Sequence, residues 1–312
     1  MMHVKNMNLL PAENLLEETY GLPPPFSDKN VSSKGGRDEA TCQRPRGCGS
    51  RLRSLPVDVR SSGDVIVYPK VLFGEVWIIS GQSNAAFTLG MMATGAGVLA
   101  ANATAEIAGS AQFNRSIRLL NTGNTHSPTP EPTLPSSGGL PWSRPSPEVL
   151  AGSSVMGNAA FSATGWFFAR QLNRELEVPI GMVMATMGGT ALESWMSAEL
   201  LYGNSGGAPP DPTKGACPSD PADPTTAIPA NSFSPPSSNY NADIAPLFNM
   251  TVRGVTWYQG ESNEVVGMNA TYACRFGVMM ADWSRQWHEG TGGATDATLP
   301  FGYVQIGTDC GK

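Results

Sequence analysis

The amino-acid sequence predicts an α/β fold, a parallel sheet carrying long Pro/Gly/Ser-rich surface loops, and three apolar runs carry that expectation. The first is Gly74-Glu75-Val76-Trp77-Ile78-Ile79, which stops at Ser80-Gly81-Gln82-Ser83-Asn84. The second, Pro179 to Thr186, closes in Met187-Gly188-Gly189-Thr190, and the third, Val252 to Tyr258, closes in Gln259-Gly260-Glu261-Ser262-Asn263. Each run is rich in β-branched, aromatic or other apolar residues and reads as a buried strand; each turn is small and polar; each is followed by a helical pattern. Parallel strands place their carboxyl ends on one edge of a sheet, where ligands of open α/β sheets bind.

Taken in order, Met1 to Tyr20 has only short apolar pieces, Leu9-Leu10 and Leu15-Leu16, and lacks the apolar centre of a secretory signal. Residues 21–63, rich in Pro, Gly, Ser and Arg, suit a poorly packed segment. The expected division is therefore a poorly ordered or misassigned stretch over 1–70 and one folded domain over 71–312. After the first turn, Ala85 to Ala108 is Ala/Gly-rich and only weakly helical, because Gly90, Gly95 and Gly97 cost helix stability. Ser116 to Leu120 reads as a strand, and residues 121–157 as a long surface excursion. Phe161, Gly165, Phe168, Leu172 and Leu176 recur at helical spacing and predict an amphipathic crossover helix into the second strand. Leu192, Trp195 and Leu200 continue the pattern after it. A second excursion, 203–245, holds Pro-Pro, Asp-Pro and Ser-Pro pairs, and loops this long often serve as binding rims. Tyr272, Phe276, Met279, Trp283 and Trp287 form a last helical stripe, and Phe301 to Ile306 a final strand.

Bulk properties narrow the chemistry. At 312 residues the chain can bury one large core. Its net charge of -6 offers no basic field for nucleic acid. No run of about 18 apolar residues occurs, so no membrane span is expected. The five cysteines, at 42, 48, 217, 274 and 310, show no metal-type spacing, and no metal or cofactor is expected. Neither Gly-x-Gly-x-x-Gly nor a Walker-type loop occurs at the turns, which argues against a nucleotide binder. Taken alone, Ser83 suits a helix cap. Three turns at one edge, however, would bring a serine, a pair of glycine amides and a Gln/Glu pair together.

Gly81-Gln82-Ser83-Asn84, Gly188-Gly189-Thr190-Ala191-Leu192-Glu193-Ser194-Trp195 and Trp257-Tyr258-Gln259-Gly260-Glu261-Ser262-Asn263 together resemble the sialate O-acetylesterases, carbohydrate esterases of the SGNH-hydrolase type. The resemblance also takes in Asn249-Met250-Thr251, Tyr272 to His288 and Pro300 to Gln305, about residues 70 to 306 in all. It implies a three-layer, flavodoxin-like fold and an acyl transfer in which Ser83 attacks an acetyl ester and forms an acetyl-enzyme. The Ser83 amide, an amide of Gly188-Gly189 and the Gln259 side chain would then bind the oxyanion. Glu261 is either an acid orienting a histidine or a structural acceptor for turn amides, and Gln82, Asn84 and Asn263 would line the substrate. The family draws its base from an Asp-x-x-His-Pro-like stretch after the last strand; none occurs up to Lys312, which leads us to expect a domain incomplete at its C-terminus and hydrolysis impaired by the missing Asp and His. Of His3, His126 and His288, only His126 could substitute, on a loop folded back over Ser83.

The implied substrate is an O-acetylated sialic acid, with acetylated plant polysaccharide such as xylan as an alternative sugar and a non-catalytic glycan-binding role as an alternative function. Family kinship implies a secreted or lysosomal glycoprotein, which sequons at Asn30, Asn102, Asn114, Asn249 and Asn269 would suit.

Overall fold

The computed structural model describes residues 8–10, 55–61, 64–94, 102–135, 138–152, 160–203, 211–229, 233–265 and 270–306. His3, Cys42, Cys48, Cys310 and the sequons at Asn30 and Asn269 lie outside them. The strands are β1 (Asn8–Leu10), β2 (Leu55–Ser61), β3 (Asp64–Val71), β4 (Glu75–Gly81), β5 (Ile117–Asn121), β6 (Leu140–Ser143), β7 (Ile180–Thr186), β8 (Gly254–Tyr258) and β9 (Phe301–Tyr303). Seven of them form one sheet in the order β1-β9-β8-β4-β7-β5-β6, while β2 and β3 pair as a separate hairpin. The five central strands are parallel, and antiparallel β1 and β6 close the edges.

Alternation along β4 sorts its side chains between the two faces, as a pleated strand must. Ile78 joins Val183, Val255 and Trp257 on one face, under Met279, Trp283 and Trp287 of the Tyr272–Gly290 helix. Trp77 and Ile79 join Ile117, Met182 and Met184 on the other, under Phe161, Trp166 and Ala169. Both faces of the sheet are thus covered, the usual condition of a parallel sheet.

Four local expectations change. Within the first seventy residues, Asn8–Leu10 pairs with β9 and residues 55–71 supply the hairpin. The excursion after β5 carries the edge strand β6 and a helical turn, Pro147–Leu150, capped by the Ser146 hydroxyl. The crossover helix runs Ala163–Leu176, but its buried face is Ala163, Gly165, Trp166 and Ala169, while Leu176 stays 45% exposed. Gly165, a member of the expected stripe, lies against the sheet, where a β-carbon would come within 2.8 Å of Ile79 Cγ2. The pattern after β7 splits into a tight turn, Leu192–Trp195, and a short helix, Ala198–Tyr202.

What positions the site is register. Gly81 pairs with Thr186 on one side and Tyr258 on the other, so β4, β7 and β8 end level with one another. Gly81 has φ 128°, and a β-carbon there would stand 2.1 Å from the Tyr258 carbonyl oxygen. Only glycine supports that turn, and it brings the residues after β4 directly over the end of β8.

Candidate active site

Ser83 opens a single helical turn, Ser83–Ala86, at the carboxyl end of the central strand. The first amides of a helix have no intrahelical acceptor. Its hydroxyl has no hydrogen-bond partner among the described residues, and the side chain is partly exposed. Gly188 faces it: a β-carbon on Gly188 would lie 3.6 Å from Ser83 Cβ. Met187 N–H donates to the Gly81 carbonyl at 3.0 Å, which ties the second turn to the first. Gly189 turns with φ 76°, a conformation that favours glycine.

The third turn is joined to the first by side chains. Gln82 Oε1 accepts from Gln259 Nε2 at 3.2 Å, from Gly260 N at 3.4 Å and from Ser262 N at 3.1 Å. Asn84 Nδ2 donates to Glu261 Oε1. Serine, glycine pair and Gln/Glu pair therefore do meet at one edge of the sheet.

Gln259, 3% exposed, donates through Nε2 to Gln82 Oε1, to the Thr190 carbonyl at 3.0 Å and to Asn263 Oδ1 at 2.8 Å, while its Oε1 accepts from the Tyr272 hydroxyl at 2.8 Å. A primary amide has two N–H groups, and here both meet acceptors within the protein, so Gln259 braces the three turns. Burial pushes the Tyr272 phenol up, which keeps it protonated and able to donate. Asn263, 1% exposed, accepts through Oδ1 from Leu192 N at 2.9 Å and donates through Nδ2 to Glu193 Oε2 at 2.9 Å, so it braces the turn from behind. Gln82 keeps its Nε2 without a partner among the described residues.

Glu261 is held by Asn84, and its Oε2 is buried without a partner; no histidine touches it among the described residues. The described histidines sit elsewhere. His126 Nε2 lies 2.8 Å from Ser234 Oγ and 2.9 Å from Met187 Sδ, behind the glycine turn, and burial lowers its pKa. His288 Nδ1 donates to the Thr295 carbonyl at 2.9 Å, beside residues 72–76 at the opposite end of β4.

Sequence reasoning missed the ion pair beneath the site. Glu193 and Arg275, each 1% exposed, bond through Oε1 and Nη1 at 2.5 Å, and Arg275 also donates to the Thr226 and Ala227 carbonyls. The signal was present, since Arg275 falls three residues after Tyr272 and four before Met279, on the apolar stripe itself. The neighbouring Cys274 forms a disulfide with Cys217, so the second excursion is anchored to the helix twice.

A second buried acid, Asp243, accepts from Thr125, the residue before His126. Burial pushes the Asp243 carboxyl up to about 7, against weaker opposing hydrogen bonds that include Thr125 and Asn239. A carboxyl whose folded pKa is raised adds stability below its unfolded value, near 4, and that stability is lost as pH rises through about 7. The thermal midpoint of the parent chain, measured against that of Asp243→Asn, is expected to fall between pH 4 and 7 and to level off above. A difference independent of pH would show that folding does not raise the Asp243 pKa.

Residues 73–205 match the family model described as carbohydrate esterase, sialic acid-specific acetylesterase. The chain is 36% identical over 249 residues to a sialate O-acetylesterase of Homo sapiens, covering 78% of this chain and 41% of that one. It is 34% identical over 252 residues to the Mus musculus protein of the same name, covering 76% and 43%. Among solved structures it is similar to a carbohydrate acetylesterase from Xanthomonas citri, with a TM-score of 0.54 and 28% identity, over 80% of this chain and 45% of that one. The chain thus spans about two fifths of the length of the curated relatives it matches. No helix among the described residues is long and apolar enough to cross a membrane, and no group of three metal-ligating side chains occurs among them.

Proposed function

The chain belongs to the sialate O-acetylesterase family of carbohydrate esterases, and from that membership we propose that it hydrolyses O-acetyl esters of carbohydrates, sialic acid first among them, with Ser83 as nucleophile. The observation that carries the reading is the Ser83 hydroxyl, unpartnered among the described residues, at the end of the central strand and against Gly188. Attack of Ser83 Oγ on the acetyl carbonyl forms a tetrahedral oxyanion; the bond to the sugar oxygen breaks, the sugar leaves as its alcohol, and water then cleaves the acetyl-enzyme.

The donors best placed for that oxyanion are the Ser83 amide and the Gly188 and Gly189 amides, which donate to no backbone carbonyl among the described residues. Gln82 Nε2 is the side-chain donor with capacity to spare, and Gln259 holds it in place. Glu261 acts through Asn84, fixing its amide beside the nucleophile. The proton of Ser83 must pass to a base, and neither His126 nor His288 contacts it.

The Cys217–Cys274 disulfide supports action in an oxidising compartment, secreted or lysosomal, and the exposed sequon residues Asn102 and Asn249 fit glycosylation there. A fluorophosphonate probe tests the assignment. Incubation is expected to stop acetate release from O-acetylated sialic acid and to leave one adduct, on the peptide containing Ser83. An adduct on any other serine overturns it.

A further inference from the structure

Phe233 is 57% exposed, although it sits beside the glycine turn and not on a remote surface. Its N–H donates to the Gly189 carbonyl at 3.3 Å, and its Cβ lies 3.1 Å from where a Gly189 β-carbon would stand. An apolar ring is therefore fixed one residue from the glycine that faces Ser83. From Phe233 a cleft of about 980 Å³ runs away from the nucleophile, walled by Tyr202, Ile228, Pro235 and Pro236, with Ser219 and Asp220 among its polar groups. That is the upper end of the volume of ordinary ligand sites, and apolar walls with a few polar groups are their usual lining.

The walls are built to hold their shape. Arg275 clamps the carbonyls of Thr226 and Ala227, and the Cys217–Cys274 disulfide fixes the same excursion to the long helix. Flat aromatic and pyrrolidine faces suit the C–H faces of a sugar ring, and hydroxyls at the margin suit its oxygens. Charge narrows the class further. Along residues 203–245 the one cation, Lys214, 3.4 Å from Asp211, stands against the carboxylates of Asp211, Asp220 and Asp223, while Asp243 is buried and does not line the cleft. A carboxylate here would meet a field of its own sign.

We infer that this cleft is a subsite for an uncharged sugar unit next to the O-acetylated one, with Phe233 as its stacking platform. The inference rests on the esterase reading of Ser83 for its meaning, and on continuity through Phe233 for its place. It makes the preferred substrate an acetylated sugar within a chain over the free acetylated monosaccharide.

Titration calorimetry with ester-free neutral hexasaccharides (xylohexaose, cellohexaose and a galactohexaose) and with anionic hexagalacturonate tests it. At least one neutral probe is expected to bind, Phe233→Ala to weaken it roughly tenfold, the loss of one stacking contact, Phe233→Trp to preserve it, and hexagalacturonate to bind at least tenfold more weakly. No neutral binding, binding unchanged in Phe233→Ala, or equal binding of the anionic probe overturns it. None of the probes carries an ester, so their binding reads the cleft independently of Ser83; a chain that binds them yet releases no acetate from a separate O-acetylated sugar would strike the esterase reading alone.

Discussion

Where a base takes its proton, Ser83→Ala is expected to lower kcat for acetyl-ester hydrolysis on the order of 10⁶-fold, the scale set by removal of a serine nucleophile from an intact nucleophile–base pair. What remains, on the order of 10³ to 10⁴ over water, is the share that binding and oxyanion stabilisation supply without the nucleophile. The substitution is unusually clean. The Ser83 hydroxyl bonds to nothing among the described residues, so its removal leaves no buried group unpaired, and stability should stay within about 0.5 kcal/mol of the parent. Acetate release under saturating substrate and the thermal midpoint, measured on the same preparations, separate the two effects. A fall of less than tenfold in kcat, with the fold intact, would mean that another group attacks the ester.

The parts of the fold that place Ser83 were legible because they follow from pattern. Trp77, Ile78 and Ile79 alternate between two covered faces, and a strand buried on both sides reads as a continuous apolar run. The level ends of β4, β7 and β8 followed from three such runs closing in glycine turns. Short edge strands were not legible. Leu140–Ser143 is four residues long in a tract dense in Pro, Ser and Gly, and Asn8–Leu10 becomes a strand only by pairing with β9, a partner almost 300 residues away.

The site divides the same way. Which turns meet could be read from spacing, but what each side chain does with its hydrogen bonds could not. Gln259 and Asn263 carry the donors and acceptors a substrate would need, and those same groups serve equally well to tie one turn to another. Only the burial of both, and partners drawn from residues as far apart as Gln82 and Tyr272, shows that the protein uses them on itself. The ring of Phe233 was hidden for the converse reason: an isolated aromatic in a proline-rich stretch has no period to reveal it.

Arg275→Met is expected to destabilise the chain by about 3–5 kcal/mol, since it leaves the Glu193 carboxylate, 1% exposed, buried without its counter-ion. Glu193→Leu should cost a similar amount by stranding the guanidinium. Combined, the two substitutions replace a buried ion pair by apolar side chains of comparable volume, an exchange that is often close to neutral, so most of the lost stability should return. Activity should not return with it. Glu193 Oε2 holds Asn263 Nδ2, Asn263 Oδ1 holds Gln259 Nε2, and Gln259 holds the Gln82 side chain beside Ser83. A leucine at 193 supplies no acceptor for Asn263, which releases the first link of that chain whatever happens to the global fold. Urea midpoints and kcat/KM for the two single variants and the double variant test the separation. Recovery of both together would reduce the ion pair to a packing element. Recovery of stability alone would make Glu193 a positioning residue, acting on the ester through three intervening side chains.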